Sequence, residues 1–399
     1  MESGKRMIDV IIEKNTRPPC AGPLLVSYNA GGVFVALLKN GLGARYVDLM
    51  SEGTNPPTQN VADIQCYAVF FGNKSSAFHH MQEARRSKKP PRLIIAFGTF
   101  ASGFPDEILS KGLADIVVSH DAEFVIPLIL KEEHKASVWE NIPNISYLDQ
   151  GQIIHTQKHS FDDLDQIPFI SPYFYGQGYR PAFIMTARGC QYHCVYCDRN
   201  ALWGGKVRNR SVESVLQEIR ELVEVHKVEN IQFLDEDIAA DHQRLVALCE
   251  GLRKIKEEFS WSCSACVNSV SQKILLLMGR SHCREIYFGV ESASESVLRR
   301  IGKIYGRSEI LNAVRWSQEA GLRPEVLITV GNPGETDLDQ KLTLSVLEEL
   351  GPEVAVTTNR LVILPGTAFY RKGLKEGWYT QQSFFEDEDV VFYNEKELV

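Results

Sequence analysis

Three thiols lie close together at Cys190, Cys194 and Cys197, in the run Arg188-Gly-Cys-Gln-Tyr-His-Cys-Val-Tyr-Cys-Asp198, directly after the apolar stretch Ala182 to Thr186. Soft sulfur donors on one short loop suit zinc or an iron-sulfur cluster. A structural zinc site takes four ligands, and no fourth Cys or His follows at regular spacing. A cluster with one open iron fits three donors better. The bland alternatives are a zinc knuckle that borrows His193, or ordinary buried thiols.

The elements around this loop follow an alternating pattern. From residue 7 to about 131, apolar strands at 8–12, 45–49, 66–71, 92–96 and 115–118 alternate with helical stretches near 30–40, 75–88, 104–111 and 122–131. That order predicts an α/β fold with a parallel sheet covered by helices, a Rossmann-like domain over residues 1–136. Ligands of such sheets bind at the carboxyl ends of the strands. Residues 137–179 break the rhythm with Asn141-Ile-Pro-Asn144, Asp149-Gln-Gly151 and Ile167-Pro-Phe-Ile-Ser-Pro172, read as a hairpin and a linker. Alternation resumes over 180–379, with strands at 182–186, 231–234, 260–264, 285–289, 325–330 and 356–364. Six strand-helix units make a partial (β/α)6 TIM-type barrel, which places chemistry at the carboxyl ends of its strands. Residues 380–399 are a short tail with an acidic run at 386–389.

Composition narrows the partners. A chain of 399 residues has room for two ordinary domains. Its net charge of -8 offers no broad cationic surface for phosphates, so no nucleic acid is expected. No apolar run approaches the ~20 residues of a membrane span. Nine cysteines without a signal peptide point to a reducing cytoplasm. The basic run Arg85-Arg-Ser-Lys-Lys89 reads as a solvated helix end.

The spacing CxxxCxxC, with Tyr196 just before the last cysteine, resembles the radical S-adenosylmethionine superfamily. The resemblance implies a 4Fe-4S cluster on Cys190, Cys194 and Cys197, with S-adenosylmethionine chelating the open iron. It further implies reductive cleavage to a 5'-deoxyadenosyl radical that takes a hydrogen atom from substrate. Other residues acquire roles by position. Tyr196 would pack on adenine, Asp235 and Asp237 would meet the methionine ammonium, and Glu291, with Ser292 beside it, would bind the ribose hydroxyls. Gly331, in Gly331-Asn-Pro-Gly-Glu335, and Leu364, in Leu364-Pro-Gly-Thr367, would flank the adenine.

Read together, the two halves are similar to the class of radical enzymes with an N-terminal domain of cobalamin-binding type. This implies cobalamin-dependent methyl transfer to a carbon centre, a small-molecule or peptide substrate, and an electron donor such as flavodoxin or ferredoxin. Departures leave cobalamin open. The Asp-x-His-x-x-Gly loop is absent, and His79-His80 sit in a helical stretch. Phe97 stands where glycine is common and would crowd the cleft, and His120 and Ala122 replace further glycines. Without cobalamin, the expected outcome is epimerisation, cleavage or cyclisation, with Cys263 or Cys266 returning a hydrogen atom. Residues three apart on a strand face opposite sides, so both thiols cannot point inward. Cys20, Cys66, Cys249 and Cys283 read as small apolar side chains, although Cys20 could line the upper site. A non-catalytic metal-binding scaffold is the reading from another class.

Overall fold

The computed structural model describes residues 7–12, 23–49, 62–132, 136–176, 182–199, 203 and 206–386. Cys20 and residues 387–389 of the acidic run lie outside the described residues.

The first half is built on a seven-stranded sheet of β1 (Met7–Ile12), β2 (Gly43–Asp48), β3 (Ile64–Ala68), β4 (Leu93–Phe97), β5 (Ile116–Val118), β6 (Ile145–Asp149) and β7 (Gln152–His155). Their order is β2-β1-β3-β4-β5-β6-β7, and the first five run parallel. Residues of β3, β4 and β5 are buried throughout, which is why these strands read as continuous apolar runs rather than alternating ones. The hairpin anticipated at Asp149-Gln-Gly151 forms β6 and β7, and it pairs antiparallel onto β5 to extend the same sheet. Gln150 and Gly151 both take positive φ, 46° and 83°, as a tight two-residue turn requires.

The second half is a six-stranded, all-parallel sheet of β8 (Ala182–Ile184), β11 (Asn230–Phe233), β12 (Ser260–Ala265), β13 (Cys283–Glu291), β14 (Arg323–Val330) and β15 (Ala355–Arg360). It is the partial (β/α)6 barrel, with β8 and β15 as its edges. A short antiparallel pair, β9 (Ala187–Arg188) with β10 (Arg208–Asn209), stands beside it. Along β12 the alternation is visible: Trp261, Cys263 and Ala265 are buried, while Ser260, Ser262 and Ser264 are half-buried on the opposite face.

The last helices return to the first half. Phe385 stacks on Phe78, Phe384 meets Phe71 edge-on, and the Lys74 ammonium donates to the Phe384 carbonyl at 2.5 Å. Burying these rings supplies a hydrophobic joint between the halves.

Candidate functional site

The cysteine loop leaves the carboxyl end of β8 and is rooted by Asp235. The Thr186 amide donates to one oxygen of that carboxylate at 3.1 Å, and the Thr186 hydroxyl donates to the other at 2.7 Å. Gly189 then adopts φ +93°, and a side chain there would collide with the Lys206 carbonyl oxygen. Further along, the Val195 amide donates to the Ile301 carbonyl at 3.1 Å, while the Val195 carbonyl accepts from the Phe369 amide at 2.8 Å. Gly302 lets the loop come this close: a Cβ on it would stand 3.1 Å from the His193 carbonyl oxygen and 3.4 Å from the Cys194 Cα. The loop is therefore clamped by helices 295–301 and 368–376, one on each side.

Cys190, Cys194 and Cys197 are free, half-buried thiols, and the Cys197 amide closes a turn on the Cys194 carbonyl at 3.2 Å. Burial raises all three, and pushes Cys197 up to about 12. Thiols that resist ionisation in the free protein are thiolates only when a metal replaces their protons. Among the described residues, no trio of His, Cys, Asp or Glu converges tightly enough to hold one metal ion. A four-iron cubane takes its thiolates at three separate irons, so it needs sulfurs spread more widely than a single ion does. Three free, half-buried thiols on one loop match the donor set of such a cluster.

The acidic strand ends divide into distinct roles. Both Asp235 oxygens are occupied by Thr186, so this buried carboxylate faces the root of the loop. Glu236 is paired with Arg199 at 3.1 Å. Asp237 differs. Its Oδ1 accepts from Ser269 (2.8 Å) and from the Ala239 and Cys266 amides (3.2 and 3.3 Å), while its buried Oδ2 has no partner. It lines a cavity of about 230 Å³ together with Cys190, Gln191 and Glu236. A buried, unanswered carboxylate oxygen beside the cysteine loop is suited to a ligand ammonium.

Cys266 belongs to this neighbourhood. Burial first, and then the charge of Asp237, push its thiol well up, with Cys190 and Cys194 also acting on it. Cys263 does not belong. It is fully buried in the strand-helix layer, where it shares a hydrogen bond with Cys283. The alternation of β12 removes it as a candidate at the mouth of the barrel.

Glu291 sits on a register shift at the end of β13, at φ +62°. It accepts from the Thr329 hydroxyl and from the Lys303 ammonium at 3.2 Å. Lys303, which the sequence reading passed over, is buried and also donates to the Gly289 carbonyl at 2.5 Å. Burial alone would lower it, but Glu291 and then Tyr196 and Tyr305 hold its pKa well above the usual lysine value. Its charge reaches Cys194 and Cys266 as well. The only sequence signal was Gly302 immediately before it, a left-handed helix stop that turns the next residue inward. Tyr196 packs between the cores of both halves, near Glu291 and Lys303.

Ser292 is fully buried and bonded to Thr343 at 3.2 Å, a turn residue rather than an open donor. Gly331, at φ +79°, opens a turn whose amide donates to Glu335 at 2.7 Å. Leu364 packs in the joint between the halves.

In the upper half, Phe97 is 1% exposed and packs in the core with Phe34, Val125 and Ile126. It does not crowd the cleft, which corrects the expectation. The cleft wall begins two residues later at Thr99, after Gly98, where φ is +107° and a Cβ would stand 2.6 Å from the Val69 carbonyl oxygen, so that only glycine fits. His120 and Asp121 hold left-handed φ values of 60° and 34°, so the chain keeps a glycine-like turn without glycine. The turn is held by charge. Asp121 meets Arg188 at 2.8 Å and Arg208 at 2.6 Å, and Glu123 meets the other Arg188 nitrogen, all four groups being buried. His79 and His80 lie on helix 74–86, outside the residues that line the cleft.

The cleft has a volume of about 790 Å³ and lies between Thr99, Ser119 and His120 of the first half and Asp198, Pro365 and Arg371 of the second. Among the described residues, no helix is long and apolar enough to cross a membrane.

The model of the Radical SAM superfamily matches residues 184–347. An uncharacterized methyltransferase of Pyrococcus horikoshii is 26% identical over 61% of this chain and 55% of its own length. Cytidylyl-2-hydroxyethylphosphonate methyltransferase of Streptomyces wedmorensis is 22% identical over 72% of this chain and 62% of its own. The chain thus spans less than two thirds of these relatives. In fold it is similar to the cobalamin-dependent S-adenosylmethionine radical enzyme OxsB, solved with aqua-cobalamin bound, at TM-score 0.81 and 18% identity over 98% of this chain and 64% of that one. The methyltransferase TsrM of Kitasatospora setae, solved with cobalamin and a 4Fe-4S cluster, gives TM-score 0.77 and 15% identity over 93% of this chain and 75% of that one.

Proposed function

We propose that this chain, which carries a radical S-adenosylmethionine domain, transfers a methyl group to a carbon centre with a corrinoid seated between its halves. Cys190, Cys194 and Cys197 would hold a 4Fe-4S cluster, which would supply the electron for cleavage of S-adenosylmethionine, and a corrinoid would supply the methyl group. The observation that carries this reading is the position of the cysteine loop: Cys190 lines the cavity with Asp237, while Asp198, next to Cys197, lines the cleft above.

The chain's own groups do the positioning. Asp237 Oδ2 receives the ammonium of the bound amino acid moiety. Glu291, braced by Thr329 and Lys303, orients the ribose hydroxyls, and Lys303 adds a fixed positive charge beside Cys194. Tyr196 covers the loop from the side of the joint. The substrate is a small molecule or a peptide, the electron donor a flavodoxin or ferredoxin, and the compartment the cytoplasm.

Cys266 supports a second reading. A thiol hydrogen-bonded at Asp237 and close to the loop could return a hydrogen atom to a substrate radical. A non-catalytic scaffold would leave Asp237 Oδ2 buried with nothing to bind. The test is anaerobic incubation with methyl-labelled S-adenosylmethionine, hydroxocobalamin and a strong reductant. Label reaching the protein-bound corrinoid supports methyl transfer. Absence of retained corrinoid, with solvent deuterium entering product through Cys266, would support the second reading instead.

A further inference from the structure

Arg199 lies two residues past Cys197, and its side chain is only 18% exposed. Its Nε stands 3.1 Å from Glu236 and 3.7 Å from Asp198. Its Nη1, by contrast, is buried with no hydrogen-bond partner among the described residues. A buried guanidinium N–H left unanswered is costly, so this one is a donor kept for a group that the folded chain alone does not supply. The surroundings point to which group. The Arg199 backbone amide donates to the Cys197 sulfur, the Arg199 cation is the leading charge acting on that sulfur, and Cys190 lies within its field as well. Glu236 lines the same cavity as Cys190. Lys303 acts in a similar way on Cys194, but it is committed to Glu291 and the Gly289 carbonyl.

We propose that Arg199 is a positioning residue that tunes the reduction potential of the cluster held by the three cysteines, with Glu236 as its counterweight. This deepens the cluster reading above and rests on it. Reduction adds negative charge to a cluster, so a fixed cation beside its sulfurs raises the potential and a fixed carboxylate lowers it. Hydrogen bonds to the sulfurs act in the same direction as the cation. A guanidinium keeps its charge at every pH at which the chain is folded, so its influence is a constant field rather than a titration. The pair sets the potential between the two extremes that either group alone would impose.

Anaerobic potentiometric titration of the reconstituted full chain, without S-adenosylmethionine and read by the paramagnetic signal of the reduced cluster, tests this. Substitution leaves the backbone amide at 199 in place, so a shift reports the guanidinium. Arg199→Gln is expected to lower the reduced-to-oxidised ratio at fixed potential about tenfold, a shift of about 59 mV to more negative values for one electron. Glu236→Gln is expected to shift the potential to more positive values, and Arg199→Lys to stay close to the unaltered chain. Opposite signs are the signature of charge, because a merely disturbed loop would move both variants the same way. Equal potentials in Arg199→Gln and the unaltered chain, or shifts of one sign in Arg199→Gln and Glu236→Gln, overturn the tuning role and leave the cluster reading intact. If Arg199→Gln assembles no cluster, the sign in Glu236→Gln decides: a positive shift supports the role, and a zero or negative one overturns it. If the unaltered chain takes up no cluster, both fall.

Discussion

Arg188, two residues before Cys190, makes a 2.8 Å ion pair with Asp121 at the strand end of the other half. The position of the cysteine loop is thereby tied to the turn that lines the upper cleft. Four buried charges meet there, two from each half, so the joint is specific as well as apolar.

Removing Asp121 should therefore cost more than an ordinary surface pair. Asp121→Ala leaves Arg208 buried without a counter-charge and Arg188 with Glu123 alone, a loss of roughly 3–5 kcal/mol. Urea unfolding measures it, and adding Arg208→Met should recover part of the loss. Burial would raise the Asp121 pKa, but Arg188 and Arg208 together lower it below the ordinary aspartate value. A depressed carboxylate contributes stability that is present above its unfolded pKa. That stability should disappear only as pH falls below about 4.

Asp235 and Asp237, two residues apart, should behave differently. Asp235→Ala unroots Thr186 and should destabilise the chain by about 1–3 kcal/mol, with poorer iron retention. Asp237→Asn keeps the bonds to Oδ1 and should spare the fold while weakening S-adenosylmethionine binding, read by equilibrium dialysis. Equal loss of stability in both variants would make Asp237 another structural anchor.

Much of this site was legible because it is local. The thiol spacing, the strand rhythm and the Asp149-Gln-Gly151 turn are all encoded within a few residues. What was not legible depends on which way a side chain turns or on distant partners. Phe97 ends a strand whose faces are both buried, so its type could not reveal that it faces the core. Asp235 meets Thr186 across 49 positions, and no local pattern marks that commitment. Lys303 is one of three basic residues within five positions, and only the left-handed stop at Gly302 turns it toward Glu291.

Gly302→Ala offers a direct check on that turn. A Cβ 3.1 Å from the His193 carbonyl, at φ +84°, should cost about 1–3 kcal/mol and shift the cysteine loop. Lower iron content after reconstitution, with unfolding still cooperative, is the expected result.

Lys303→Gln should weaken S-adenosylmethionine binding by about 1.5–3 kcal/mol through the loss of a charged donor beside Glu291. The cluster spectrum should persist. An unchanged dissociation constant would confine Lys303 to bracing the Gly289 carbonyl.

The most direct measurement is an iron and sulfide count on anaerobically reconstituted protein, with and without Cys190, Cys194 and Cys197 changed together to alanine. The expected result is about four irons per chain, lost in the triple variant along with reductive cleavage of S-adenosylmethionine. Tightly bound zinc in the unaltered protein, or iron that survives loss of all three thiols, would contradict the account.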